Sequence, residues 1–163
     1  MRRRVAATML AAALTAGLTL LAAPGAAASG KATVLTASLS GAREVPGPGD
    51  PDGRGRAVVK LAGGKACYVL RWSGISAPTA AHIHTGRAGV AGPVAVLFFD
   101  VPALAAGPPA ELPPTVSAAA GCVDDQDPAV LRDIRRQPRA YYVNVHTREF
   151  PGGAIRGQLR RAA

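Results

Sequence analysis

Three histidines are the residues of this chain best suited to chemistry. His82 and His84 stand two positions apart in residues 80–94, which continue into glycines and a proline. If that segment begins as a β-strand, side chains at i and i+2 lie on the same face. His146 lies in a second strand-like segment, residues 141–147. Neutral imidazole is a good ligand for copper or zinc, so convergence of the three rings would create a metal site.

The same rings could instead serve the structure alone. A buried imidazole needs hydrogen-bond partners, and Thr85, Asn144 and Thr147 stand close to the histidines in the sequence. An HxH pair by itself is a weak indication of a metal ion. Two interpretations therefore stay open: a metal site, and a hydrogen-bonded structural cluster.

Other residues give little indication of catalysis. The chain has no GxSxG nucleophile elbow, and no P-loop lysine follows the glycines at 86, 89 and 92. Glu44 and Glu149 are better suited to structural ion pairs with Arg148 or Arg156 than to acid–base catalysis. We therefore expect no catalytic residues.

The positions of apolar and turn-forming residues predict about seven or eight short strands and one helix. Asp127 is a good N-cap, Pro128 suits the first helical position and Pro138 ends the helix, which is predicted near 128–137. We expect an irregular segment over 100–114 and a frayed tail over 160–163. The spacing predicts an all-β fold, a Greek-key β-sandwich or barrel. The strands are predicted at 33–40, 56–61, 66–72, around the HxH pair, and at 93–99, 115–122, 141–147 and 154–159.

The N-terminus is predicted to be a secretory signal peptide, residues 1–28. Three arginines precede an apolar run to about residue 23, and alanines at 26–28 form a small-residue cleavage site. Cleavage leaves 135 residues, a single domain over 29–163, and lowers the formal net charge from +9 to +6. No second apolar run is long enough to span a membrane. We expect a secreted monomer.

The cysteine count indicates the redox state of the compartment, and the net charge indicates which kinds of partner the protein could bind. Cys67 and Cys122 are the only cysteines, and an even count in an oxidising compartment predicts one disulfide, with two buried thiols as the alternative. A basic exported protein will meet anionic wall polymers or lipid head groups, although solubility alone would explain scattered basic residues. Aromatic residues are few, so we expect no nucleic-acid partner. The one basic cluster consists of Arg132, Arg135, Arg136 and Arg139.

Five segments occur in order along the chain, at residues 39–46, 81–86, 92–94, 142–147 and 151–159. Together they resemble the CHRD domain, a family named after chordin and widespread in secreted bacterial proteins. The resemblance covers about residues 33–160 and implies an extracellular β-module. Fold does not imply function, so no growth-factor partner is carried over from chordin. On this resemblance we expect a non-enzymatic binding or structural module with an unidentified extracellular partner, an anionic cell-wall or surface polymer being one candidate.

A weaker resemblance connects the histidines to the copper half of copper/zinc superoxide dismutases. In those Greek-key proteins an HxH strand and a late-strand histidine hold copper, and an arginine near the C-terminus guides the anion. With only three histidines, this chain has no counterpart of the bridging or zinc-site histidines. The resemblance implies at most a copper-only site, and superoxide turnover does not follow from it. The residues concerned are His82, His84 and His146 as metal ligands, with Arg156, Glu44 and Asn144 as anion-guiding or supporting residues.

Overall fold

The structure is a computed structural model that describes residues 31–101 and 115–163. The predicted signal peptide and nearly all of the predicted irregular segment lie outside the described residues. Within them, one antiparallel sheet and one α-helix account for the fold, with short 3-10 helices at Gly41–Arg43 and Pro138–Ala140. The elements are β1 (Thr33–Ser40), β2 (Arg54–Ala62), β3 (Lys65–Ser73), β4 (Pro78–Thr85), β5 (Val94–Asp100), β6 (Ala118–Val123), α1 (Pro128–Arg136), β7 (Tyr141–Thr147), β8 (Ile155–Gln158) and β9 (Arg160–Arg161).

The sheet curls into a nearly closed barrel. Its strand order is β5-β4-β7-β8-β1-β2-β3-β6, with β9 added beside β1. Several neighbouring strands are not consecutive in the chain, as Greek-key connections require. Tyr68 of β3 and Phe98 of β5 stack with ring centroids 4.5 Å apart, which brings the two ends of the sheet together. The predicted all-β fold with a single helix is confirmed for the part of the chain that is described.

Alternation along the strands determines which side chains reach the barrel interior. In β1, Leu35, Ala37 and Leu39 are buried, while the residues between them lie on the outer face. In β4, Ile83 is fully buried in the same core. Because Ile83 points inward, the side chains on either side of it must lie on the outer face. This places the HxH pair outside the barrel.

The helix forms as its sequence signals predict. The side chain of Asp127 accepts a hydrogen bond from the backbone N–H of Ala129 at 2.7 Å, which satisfies one of the free donors of the first turn. Leu131 and Ile134 are fully buried and join the barrel core. The helix ends at Arg136, one residue earlier than expected. No helix among the described residues is long and apolar enough to cross a lipid bilayer.

The C-terminal residues differ from the expectation of a frayed tail. Arg160 and Arg161 pair with Thr36 and Leu35 of β1, and the backbone N–H of Ala162 donates to the carbonyl of Val34 at 3.1 Å. The pairing of β8 with β1 includes only Ser40 and Arg156 in register, so the rest of that edge of β1 has backbone groups to satisfy. Backbone pairing therefore extends the sheet despite two charged side chains.

The predicted disulfide is confirmed. Cys67 of β3 and Cys122 of β6 lie opposite each other in the antiparallel ladder and are bonded. The bridge joins segments 55 residues apart in sequence. In the ideal chain-entropy treatment, closing a loop of that size stabilises the fold by about 4 kcal/mol.

Candidate metal centre

The pairing of β4 with β7 brings the three histidines together on the outer face of the barrel. His82 lies opposite Asn144 and His84 opposite Tyr142, while His146 lies opposite Ala80. Side chains of residues 142, 144 and 146 therefore share the face that carries the HxH pair. The convergence expected from sequence is present: this is the one group of three metal-ligating side chains found in the described part of the chain.

The three rings are close enough to share one ion. One ligand atom from each lies within 4.8 Å of the other two. Nδ1 of His82 and Nε2 of His146 are 3.1 Å apart. A metal held at about 2.0–2.1 Å by three nitrogens needs nitrogen separations of roughly 3.3–3.6 Å. A pair at the 4.8 Å limit would have to close by roughly 1 Å, which side-chain rotation can supply.

Backbone carbonyls determine which ring nitrogen of His84 and of His146 is left unprotonated. Nδ1 of His84 donates to the carbonyl of Gly92, and Nδ1 of His146 donates to the carbonyl of Pro151, each at 2.9 Å. A carbonyl can only accept, so both protons are on Nδ1 and both Nε2 atoms keep a lone pair. Nε2 of His84 is buried and has no hydrogen-bond partner. Metal-binding histidines are commonly oriented in this way by a carbonyl on the opposite nitrogen.

The third ring, His82, is held differently. Because Nε2 of His146 is an acceptor, the 3.1 Å contact requires Nδ1 of His82 to be the donor. To bind an ion through Nδ1, His82 would have to move its proton to Nε2. Neutral imidazole readily adopts either tautomer, so this change does not require a charged ring.

Burial keeps the site uncharged. All three side chains are half-buried, and loss of solvent lowers the pKa of each imidazole. For His82 the pKa is lowered to about 4, by burial first and then by the neighbouring rings of His146 and His84. At neutral pH the rings are therefore in the form that binds metals, and no proton has to leave before binding.

An aromatic ring separates the histidines from a buried cation. The imidazole of His84 stacks on the ring of Tyr142 with centroids 4.9 Å apart and planes 6° from parallel. The guanidinium carbon of Arg156 lies 3.4 Å from the centroid of the same ring. Because β4 and β8 flank β7 on opposite sides, Tyr142 lies between the two groups. Arg156 therefore contacts the ring of Tyr142, and that ring in turn contacts His84.

Arg156 also fixes the loop above the site. It is only 1% exposed, and its Nη2 donates to the carbonyls of Arg87 and Val90 at 2.9 and 2.8 Å. Those carbonyls belong to the loop that also contains Gly92. The loop is therefore attached to the outer face at several points, among them Arg156, His84 and the hydroxyl of Tyr142. The role of Arg156 that the structure supports is to position this loop.

Glu44 and Asn144 lie beside the histidines and contact each other. Nδ2 of Asn144 donates to Oε1 of Glu44 at 2.6 Å, and both side chains are buried. Burial raises the pKa of Glu44 to about 7, against the opposing effect of the charge on Arg156. Arg156 lies opposite Asn144 in the β7–β8 ladder, so these three residues occupy the outer face next to the histidines. Glu149 instead accepts a hydrogen bond from Ser76 Oγ at 3.0 Å.

Sequence reasoning missed three contributors to the site. The carbonyls of Gly92 and Pro151 orient the histidines, and Tyr142 stacks on one of them. The segments 92–94 and 151–159 had been singled out for their motifs. Their contribution is made by backbone atoms, which side-chain patterns do not reveal.

A comparison with protein families identifies the chain. The family model of the CHRD domain matches residues 35–159. That range includes all three histidines, both cysteines and strands β2 to β8 in full. Comparisons with curated proteins and with solved structures found no match. Because the matched range covers most of the sequence, the chain belongs to the CHRD domain family.

Proposed function

We propose that this protein is an exported CHRD module that binds one copper ion through His82, His84 and His146. The observation that carries the proposal is the arrangement of the imidazoles. Their ligand atoms lie within 4.8 Å of one another, and loop carbonyls leave Nε2 unprotonated on His84 and on His146. A purely structural imidazole cluster has no need for a buried Nε2 without a partner, which is the state of His84.

The chemistry of the donors favours copper. The group consists of three neutral nitrogens, without a carboxylate or a thiolate. Among divalent first-row metals, copper is bound most tightly by nitrogen donors, and imidazole is also well suited to zinc. Three imidazoles would complete the coordination of Cu(I), whereas Cu(II) would keep a further position for water. The function proposed is binding, with copper supplying one-electron chemistry only if a partner or substrate reaches that position.

Export is supported by two features of the chain. The disulfide between Cys67 and Cys122 is of a kind that persists in oxidising compartments. The first 28 residues have the charge, apolar run and small-residue site of a signal peptide. Mass measurement of the protein recovered outside the cell tests this part of the proposal. A chain retaining residues 1–28 would contradict it.

The test of the metal site is a Cu(II) titration of the purified protein, followed by calorimetry and by electron paramagnetic resonance. We expect one copper per chain and hyperfine structure from nitrogen ligands. His84→Ala should weaken binding by at least about 100-fold, since loss of a ligand should exceed the 10–100-fold effect of losing its supporting group. The matched control is Thr85→Ala, at the exposed neighbouring position on the same strand. Thermal melting verifies that both variants fold.

Two results would overturn this proposal. Equal stoichiometry and affinity in the native protein and His84→Ala would reject the site. Tighter binding of Zn(II) than of Cu(II) in competition would reject the choice of metal. If His84→Ala does not fold, His82→Gln provides the same comparison, because glutamine retains a hydrogen-bonding group at that position.

A structural cluster is the second candidate function for these rings. The hydrogen bond between Nδ1 of His82 and Nε2 of His146, 3.1 Å long, favours it because that contact forms without an ion. Under this alternative, His82→Gln lowers the free energy of unfolding while adding copper does not raise the stability of the native protein. Under the copper proposal, added copper raises the melting temperature of the native protein.

A further inference from the structure

We propose that a groove lined by Arg87, Arg136, Arg139, Arg160 and Arg161, here named the arginine groove, binds a polymer of polyol phosphate. The groove has a volume of about 870 Å³. It lies between the loop after β4, the end of α1, the 3-10 helix at Pro138–Ala140 and β9. The proposal is independent of the histidine site.

The positive charge of the groove is concentrated in a small area. All five guanidinium-bearing side chains are exposed, and no acidic residue is among those that line the groove. Outside the lining, Asp133 interacts electrostatically with Arg136 and accepts hydrogen bonds from Tyr141 Oη at 2.6 Å and Gln137 Nε2 at 3.2 Å, so one carboxylate partly offsets five cations. Five cations around one concavity repel each other, and a bound polyanion would relieve that repulsion. Arginine stays charged at every physiological pH, so the field is permanent.

The walls of the groove are held in place before any ligand binds. Nε2 of Gln158 is within hydrogen-bond distance of the carbonyls of Gly86, Arg139 and Tyr141, at 2.9, 2.9 and 3.2 Å. The backbone N–H of Gly86 also donates to the carbonyl of Ala140 at 2.7 Å. These bonds join the loop, the 3-10 helix and β7 at the base of the groove. A preformed site loses less entropy when it binds a ligand.

The lining residues favour a phosphate polymer over other polyanions. None of them is aromatic, so nucleic-acid bases and sugar rings have no stacking surface. The large exposed apolar residues Val34, Val69, Val90, Val94 and Leu97 lie outside the groove, which leaves nothing to insert into a membrane at this site. Apart from arginine, the only polar side chains are Gln137 and Gln158, and both are already hydrogen-bonded. Guanidinium groups match phosphate oxygens in pairs, so a chain that presents little besides phosphate fits best.

The experiment measures binding of fluorescently labelled poly(glycerol phosphate) to the purified protein by anisotropy at two salt concentrations. Arg136→Gln/Arg139→Gln removes two charges from the groove. The matched control, Arg56→Gln/Arg71→Gln, removes two charges from exposed positions paired across β2 and β3. We expect about a tenfold loss of affinity for the groove variant at low salt and less than about twofold for the control. The salt dependence should also fall, by about one unit of slope per lost phosphate contact.

Several outcomes would overturn the proposal. Equal loss in the two double variants would show that only net charge matters. Absence of binding at low salt would reject the groove altogether. Tighter binding to polyglutamate, to duplex DNA or to phosphatidylglycerol vesicles than to the polyol phosphate would assign the groove to another partner. Copper titration of both double variants should give the native stoichiometry, so failure here is distinguishable from failure of the histidine site.

Discussion

The guanidinium carbon of Arg156 lies 3.4 Å from the centroid of the Tyr142 ring, and the same guanidinium group donates to two carbonyls of the loop above the barrel wall. Arg156 is almost completely buried, which would be costly for an isolated cation. The ring face and the carbonyls of Arg87 and Val90 compensate the charge. The other interacting partner of the ring is His84. One tyrosine therefore couples the position of the loop to the position of a proposed metal ligand.

Substitution of Tyr142 tests this coupling. Tyr142→Phe keeps the ring and loses only the hydroxyl that accepts a hydrogen bond from the N–H of Gly92 at 3.3 Å, so we expect a cost of about 1 kcal/mol. Tyr142→Leu also removes the cation–π contact and the stacking surface, and should cost about 3 kcal/mol. Urea unfolding measures both values. Equal costs for the two variants would show that the hydroxyl, and not the ring, stabilises this region.

Gly92 should be required for copper affinity. A Cβ atom at this position would overlap the carbonyl oxygen of Thr85, so Gly92→Ala must displace the backbone whose carbonyl holds His84. We expect copper affinity to fall by about 10–100-fold, as when the supporting partner of a histidine ligand is lost. The control is Gly152→Ala, next to the carbonyl of Pro151, where a Cβ meets nothing within 4 Å. Calorimetry compares the variants, and equal affinities would contradict the role given to the carbonyl.

The strands and the helix could be predicted from sequence because their signals are local. Alternation of apolar and polar residues predicted β1, and Asp127 with Pro128 marked the start of the helix. The same approach failed at Arg160 and Arg161, for which a position close to the C-terminus suggested a frayed tail. Their pairing depends on backbone groups of β1 that only the strand order leaves available. Side-chain pattern contains no information about such a long-range requirement.

The ligands could be predicted, and their orientation could not. The two-residue spacing of His82 and His84 places both on one face of any strand, and the late strand supplies His146. Which nitrogen each ring presents depends on carbonyls in two loops, and every residue type carries a carbonyl. The burial of Arg156 was equally inaccessible, because arginine on an outer strand face is ordinarily exposed. Arg156 is buried because loops fold back over the outer face of the barrel.

Glu44 should make the stability of the protein decrease as pH rises. Its pKa is raised from 4.5 to about 7 in the folded state, so folding favours the protonated carboxyl. The stabilisation is complete below the unfolded pKa and is lost as pH rises through the folded pKa. The expected loss between pH 4.5 and pH 8 is on the order of 2 kcal/mol, after allowance for partial solvation.

The comparison that isolates this effect is Glu44→Gln. Glutamine retains an oxygen that can accept the hydrogen bond from Asn144 and does not ionise. Native and variant proteins are unfolded in urea at pH 5, 7 and 8.5, and the variant should gain relative stability at each step. A difference that does not change with pH would show that the carboxyl titrates as it does in the unfolded chain.

In the metal-free protein, His82 should make stability decrease as pH falls, which is opposite to the effect of Glu44. Its pKa falls from 6.5 to about 4 on folding, since burial and the neighbouring rings disfavour the charged form. The contribution of His82 to the free energy of unfolding is therefore present above pH 6.5 and is lost as pH falls toward 4. Over that range the unfolded state binds a proton that the folded state does not. We expect native stability, relative to His82→Gln, to fall by on the order of 1–2 kcal/mol between pH 7.5 and pH 4.5. Urea unfolding in the presence of a chelator measures the difference, and subtracting the variant cancels the titration of Glu44. A relative stability that rises on acidification would mean that the folded protein favours a charged ring, and the three imidazoles would then not form the neutral donor set that copper binding requires.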